Sequence, residues 1–150
     1  MKTLAAALVI AATVLIVGGS AMAQQKPEDA IKYRQSALFV MGQSFGPLGA
    51  MAKGDRPYDK DVAIKNATIV EFMSKLPWDK FGPGTDMGNT KAKPEIWENL
   101  DDFKAKAEKM QTETTKLLQV AQTGDAAALK AQVGETGKAC KACHDNYRNK

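Results

Sequence analysis

The stretch CKACHDNYR, Cys140–Arg148, gathers both cysteines and the only histidine of a 150-residue chain into five consecutive positions, Cys140 to His144. Upstream of it, apolar or small residues fall at Leu129, Val133 and Gly137, in steps of three and four that continue through Cys140 and His144. That period belongs to one face of a helix, and Asp125 stands where such a helix would be capped. Working back, Thr123-Gly124 ends a preceding helix that Pro94 opens. Its stripe runs Ile96, Leu100, Phe103, Ala107, Met110, Thr114, Leu117 and Ala121. Before that lies Trp78–Lys93, whose FGPGTDMG segment has the glycines and proline of a loop. A further stripe, Val62, Ile69, Met73 and Leu76, runs from a cap at Asp59 or Asp61 to Pro77. The earliest spans Pro27 to about Lys53, carries Ile31, Leu38, Met41, Phe45, Leu48 and Ala52, and stops at Gly54-Asp55-Arg56-Pro57. Four amphipathic helices of roughly 18 to 30 residues with mostly short connections predict an all-α fold, an antiparallel four-helix bundle, because each stripe can be hidden only against the other three. The cysteine–histidine cluster then sits on the last helix.

The N-terminal segment MKTLAAALVIAATVLIVGGSAMA has a lysine at position 2, an apolar run and a terminal Ala-Met-Ala. This is the pattern of a cleaved export signal over residues 1–23, leaving a domain at 24–150. A membrane anchor is the competing reading, but no basic stop-transfer cluster follows. The expected compartment is the periplasm, with no membrane association after cleavage. About 127 residues suffice for one domain with one core. The chain has 21 basic and 17 acidic residues, a net charge of +4, and the charges are interspersed. Nucleic-acid binding therefore has little support.

Cys-x-x-Cys admits several chemistries. A redox dithiol belongs in a thioredoxin-like setting with strands, which this sequence lacks. Structural zinc usually takes four Cys or His ligands, and the chain owns three. A disulfide across two intervening residues closes a tiny loop and gains little. Cys-x-x-Cys-His as a unit is the attachment signature of a c-type haem: two thiols form thioethers with the vinyl groups and the adjacent imidazole reaches the iron. One covalently bound haem c per chain is the cofactor expected, with His144 as the metal ligand.

A motif of this kind at the end of a helical chain resembles the cytochrome c-prime family, the class II, high-spin c-type cytochromes. The likeness extends through KPEDAIKYRQSAL in the first helix, the AKGDRPYD turn, the LPWDKFGPGTD loop and the KPEIW opening of the third helix. The resemblance implies that Cys140 and Cys143 hold the haem, that His144 is the proximal ligand and that Arg148, one turn on, lies beside it. It implies that Arg34 approaches a haem propionate, with its neighbour Gln35 also contacting the cofactor. It further implies a homodimer built from the first two helices and a preference for nitric oxide. From the residues alone, Arg34 falls in the gap of the first stripe between Ile31 and Leu38, where its stem should pack at the bundle edge. A surface arginine paired with a carboxylate fits as well, and Arg148 alone reads as a solvated helix end.

The sixth iron position is open. With no second histidine, Met41, Met51, Met73, Met87 and Met110 are the candidates, although those on core stripes serve packing. In low-spin relatives of this fold the ligating methionine aligns with Leu38, and leucine has no donor atom. The expectation is therefore a five-coordinate iron with Leu38 over the open face and Met41 one turn further on, in an apolar wall that includes Trp78 and Phe81. Such a site favours nitric oxide and carbon monoxide over dioxygen, which depends on distal hydrogen-bond donors. A gas-binding haem protein that also passes single electrons to a redox partner protein, without enzyme activity, is the function expected. The alternative is a dedicated low-spin electron carrier with a methionine sixth ligand.

Overall fold

The computed structural model describes residues 26–150, and the expected signal, residues 1–23, lies outside them. The order is α1 (Pro27–Lys53), α2 (Lys60–Met73), α3 (Glu95–Glu98), α4 (Leu100–Thr123) and α5 (Ala126–Tyr147), with one 3-10 turn at Trp78–Lys80. The four long helices form a closed ring in which α1 packs on α2, α2 on α4, α4 on α5 and α5 on α1. This is the four-helix bundle that the periodicity predicts.

The ends form where the chemistry allows. Gly54 takes φ 84°, with its N–H on the Met51 carbonyl and the Asp55 N–H on Ala50. A side chain at that left-handed position would be strained, which is why glycine closes α1. Asp59 Oδ1 accepts from the Val62 N–H at 3.0 Å, and Asp125 Oδ1 accepts from Ala127 and Ala128 at 2.8 and 3.0 Å. Each carboxylate satisfies donors that the first helical turn leaves unpaired.

The expected continuous helix from Pro94 to Thr123 is interrupted. Asn99 leaves helical geometry at φ −131°, ψ 49°, and its side-chain amide turns back to the Glu95 carbonyl at 3.2 Å. A short polar side chain that bonds its own backbone offers an alternative to the helical ladder. The single turn α3 and the long α4 are the result. The 78–93 segment is a loop, as expected, apart from the 3-10 turn and an isolated bridge between Ala92 and Arg148.

Apolar packing is uneven along the bundle. Leu48, Met51, Ala63, Ala67, Val70, Leu117, Ala121, Leu129 and Val133 form a closed core. Ala63 and Ala67 are fully buried, so α2 approaches its neighbours closely there. These residues lie toward the C-terminal part of α1 and α4 and the N-terminal part of α5. Toward the opposite end the core gives way to a second cluster, Ile96, Phe103 and Tyr147, joined by Trp78, Phe81, Trp97 and Cys143.

Between α4 and α5 the buried carboxylate of Glu113 ties the two helices together. It accepts from Lys109 Nζ at 2.7 Å, Lys116 Nζ at 3.1 Å and Gln132 Nε2 at 2.7 Å. Its backbone carbonyl accepts from Thr136, one helical turn before Cys140. These bonds, that of Lys109 first, hold the Glu113 carboxyl down to about 2 from its ordinary 4.5. Because the folded value is depressed, this stabilisation is complete above about 4.5 and is lost as pH falls toward 2. Glu113→Gln should cost about 1.5–3 kcal/mol at neutral pH, the range for hydrogen bonds to charged groups. Denaturant unfolding should also show a shallower loss of stability between pH 4.5 and 2 in the variant than in the parent.

Candidate cofactor pocket

Where the core opens, the helices and the 78–92 segment line a half-open cavity of about 560 Å³. That size falls within the ~300–1,000 Å³ typical of cofactor sites. Its wall includes Arg34, Gln35, Leu38 and Met41 from α1, Trp78 and Phe81 from the loop, and Cys140, Cys143, His144 and Arg148 from the end of the chain. On α5 the spacings of three and four set the cysteines and the histidine on one face.

The two thiols are free and half-buried. Burial raises both above the ordinary cysteine value, Cys143 to about 11. Thiols kept protonated at neutral pH lack the depressed pKa of a redox-active pair. Among the described residues no three His, Cys, Asp or Glu side chains converge as a metal site. His144 is exposed overall, yet desolvation against the wall and then the Arg148 charge lower its pKa. Both influences favour the neutral imidazole, the form that ligates a metal.

Arg34 is neither a surface residue nor paired with a carboxylate. It is 2% exposed, and its terminal nitrogens donate to the Lys80 carbonyl, to the Thr85 hydroxyl and carbonyl, and to the Thr90 hydroxyl at 2.6–3.1 Å. The guanidinium lies 4.4 Å from the centre of the Phe81 ring and 5.9 Å from that of Trp97. Burial lowers its pKa, and Asp86 opposes that effect. Gln35 donates to the Asn89 carbonyl at 2.8 Å. Neighbouring side chains of α1 therefore hold the loop against the bundle.

Leu38 and Met41 are half-buried on the α1 wall. Of the methionines considered, Met110 also reaches the cavity, whereas Met51, Met73 and Met87 do not line it. Trp78 donates its indole N–H to the Ser74 carbonyl at 2.6 Å, and its ring stands edge-on to Phe103 at 5.7 Å. Phe81 packs on Phe103 at 4.8 Å. Arg148 is not the helical residue expected one turn after His144. It is an extended C-cap at φ −127°, ψ 129°, and it lines the cavity.

Sequence reasoning assigned no role at the site to Phe103, Thr114, Thr136 and Tyr147, all of which line the cavity. Phe103 and Thr114 stand on the predicted α4 stripe, which shows that they face inward but not that the interior opens there. Tyr147 had a readable signal, lying three residues after His144 on the same helix. Its phenol donates to the Asp102 carboxylate, and that bond pushes its pKa up to about 12.

An α-helical bundle that presents Cys-x-x-Cys-His to an apolar internal cavity has the makings of a c-type haem protein. Residues 29–148 match the family model for cytochrome c'. Cytochrome c' of Rubrivivax gelatinosus is 50% identical over 127 residues, which cover 84% of this chain and 98% of the relative. The crystal structure of cytochrome c' from that organism superposes with a TM-score of 0.80 over 83% of this chain and 98% of its own. A nitric oxide complex of a mutant of cytochrome c prime from Alcaligenes xylosoxidans, 45% identical, superposes at 0.78 over 84% and 98%. The chain belongs to the cytochrome c' family and is a c-type haem protein.

The Cys-x-x-Cys-His signature leads to the expectation of haem held by two thioethers, which need both thiols. Replacing Cys140 and Cys143 together by serine should give protein whose haem is extracted by acidified organic solvent, or haem-free protein that folds poorly. Covalently retained haem in the double variant would contradict that assignment.

Proposed function

We propose that this protein is a periplasmic high-spin cytochrome that binds nitric oxide and carbon monoxide and passes single electrons to a partner protein, with no catalytic role of its own. One haem per chain would be held covalently by Cys140 and Cys143, with His144 as proximal ligand. The bound haem supplies an iron that accepts one electron or one small diatomic ligand. The observation that carries the reading is the α1 wall, where Leu38, which has no donor atom, lines the cavity with Met41 one turn away.

Several polar groups around that wall are committed to protein partners. The Trp78 N–H, the Gln35 amide and the Thr114 and Thr136 hydroxyls all have protein acceptors. Dioxygen needs distal donors, whereas nitric oxide and carbon monoxide need them much less. The nitric oxide complex of the Alcaligenes relative supports the same ligand here. Arg34 spends its terminal donors on the loop, but no carboxylate pairs with it among the described residues. Its positive charge, which Asp86 acts on without pairing with it, favours an anionic group such as a haem propionate. Met41 and Met110 line the cavity too, and this favours the low-spin carrier as the second reading.

We further propose a homodimer. Phe39 and Val40 on α1 and Phe72 on α2 are exposed apolar side chains, and nothing lies within 4 Å of a Cβ placed on Gly42 or Gly46. A second α1 could approach that surface closely. Sedimentation at micromolar concentration should give a dimer, and a monomer at all concentrations would contradict it. Among the described residues no helix is long and apolar enough to cross a membrane.

Leu38→Ala should speed carbon monoxide binding at least tenfold, which corresponds to only about 1.4 kcal/mol off the barrier. Truncating a packed leucine is worth roughly 2–5 kcal/mol, so the expected change is modest by comparison. Leu38→Met should move the absorption spectrum toward six-coordinate low spin. A parent protein that is already low spin would favour the electron carrier, and unchanged gas kinetics in a high-spin Leu38→Ala variant would place the barrier elsewhere.

A further inference from the structure

We infer that Tyr147, tied to Asp102, is a positioning residue for His144: the phenol–carboxylate bond fixes the roll of the last turn of α5 and with it the direction of the imidazole. The inference rests on His144 being the iron ligand. A ligating histidine is ordinarily oriented by a hydrogen bond from its second ring nitrogen. The His144 imidazole, however, is exposed and makes no hydrogen bond to another described residue. Its direction therefore depends on its own backbone.

That backbone is one turn from the end of a helix, where fraying is the rule. Here the end is held on two sides. Along the 91–93 segment, the Lys93 N–H donates to the Tyr147 carbonyl at 3.1 Å and the Asn149 N–H to the Lys91 carbonyl at 2.8 Å. The Arg148 N–H closes the turn on the carbonyl of His144 itself at 3.1 Å. These backbone bonds anchor the end to the 91–93 segment. The side chain of Tyr147 anchors it to α4 as well. It is 6% exposed, its ring stands edge-on to Phe103 at 5.3 Å and 86°, and its hydroxyl reaches across to Asp102 on the first turn of α4. Asp102 is held in turn by Lys106 at 3.3 Å, another residue of the cavity wall. Cys143 packs against the same aromatic cluster, so rotation of this turn would move the thiol and the imidazole together.

The test is the iron–histidine stretching band of the ferrous haem-loaded protein, measured by resonance Raman beside thermal melting. Tyr147→Phe keeps the ring and removes only the bond, and Asp102→Ala removes the acceptor from an exposed position. Both should shift or broaden the band alike, with the double variant no further changed than either single one. Asp102→Asn, whose amide oxygen still accepts, should restore the parent band. Amide exchange at Arg148 and Asn149 should quicken in the two disrupting variants. An unchanged band with a lowered melting temperature would overturn the inference and leave the contact a purely structural one. A band that moves as far in Asp102→Asn as in Asp102→Ala would overturn it as well, since charge and not the bond would be responsible. Should Tyr147→Phe fail to fold, the two Asp102 variants decide the matter. Absence of any such band in the parent would remove the ligand assignment itself, an outcome distinct from either of these.

Discussion

Burial of the Arg34 guanidinium is the constraint on which the shape of the pocket depends. A cation out of water is costly unless its donors are met. Arg34 meets them with the carbonyls of Lys80 and Thr85 and the hydroxyls of Thr85 and Thr90, and with the face of Phe81. Those acceptors all lie on the long connection between α2 and α4. Satisfying one side chain therefore folds that connection over the open end of the bundle and sets Trp78 and Phe81 into the cavity wall.

The rest of the architecture divides into a part that packs and a part that makes room. Alanines on α2 and leucines on α1, α4 and α5 fill one end. At the other end aromatic rings stand apart around the cavity, braced edge-on against Phe103. The Glu113 network lies between the two parts and fixes α5 to α4 just before the cysteines. The cysteine-bearing turn that follows faces the cavity, with Cys143 against the aromatic cluster. The sites of chemistry thus rest on polar ties at their margins and on apolar contact within.

Much of this was legible in the sequence. The periods of three and four, the glycine and aspartate caps and the five-residue Cys-x-x-Cys-His cluster determine the long helices, their ends and the cofactor class, because each depends on residues close together in the chain. Leu38 and Met41 were legible as inward-facing for the same reason. The break at Asn99 was not: it turns on which of two local hydrogen bonds an asparagine makes, and the surrounding apolar stripe continues undisturbed through it. Nor was the fate of Arg34, whose acceptors stand roughly fifty residues away. The sequence by itself determined that the cysteines and histidine share one helical face and that the chain forms four amphipathic helices. Only the tertiary structure decided where the stripes meet and where they stand apart, that Arg148 leaves the helix to bridge Ala92, and that Tyr147 reaches Asp102. Those outcomes depend on contacts between segments distant in the chain, and helical periodicity gives a residue's face without saying what lies opposite it.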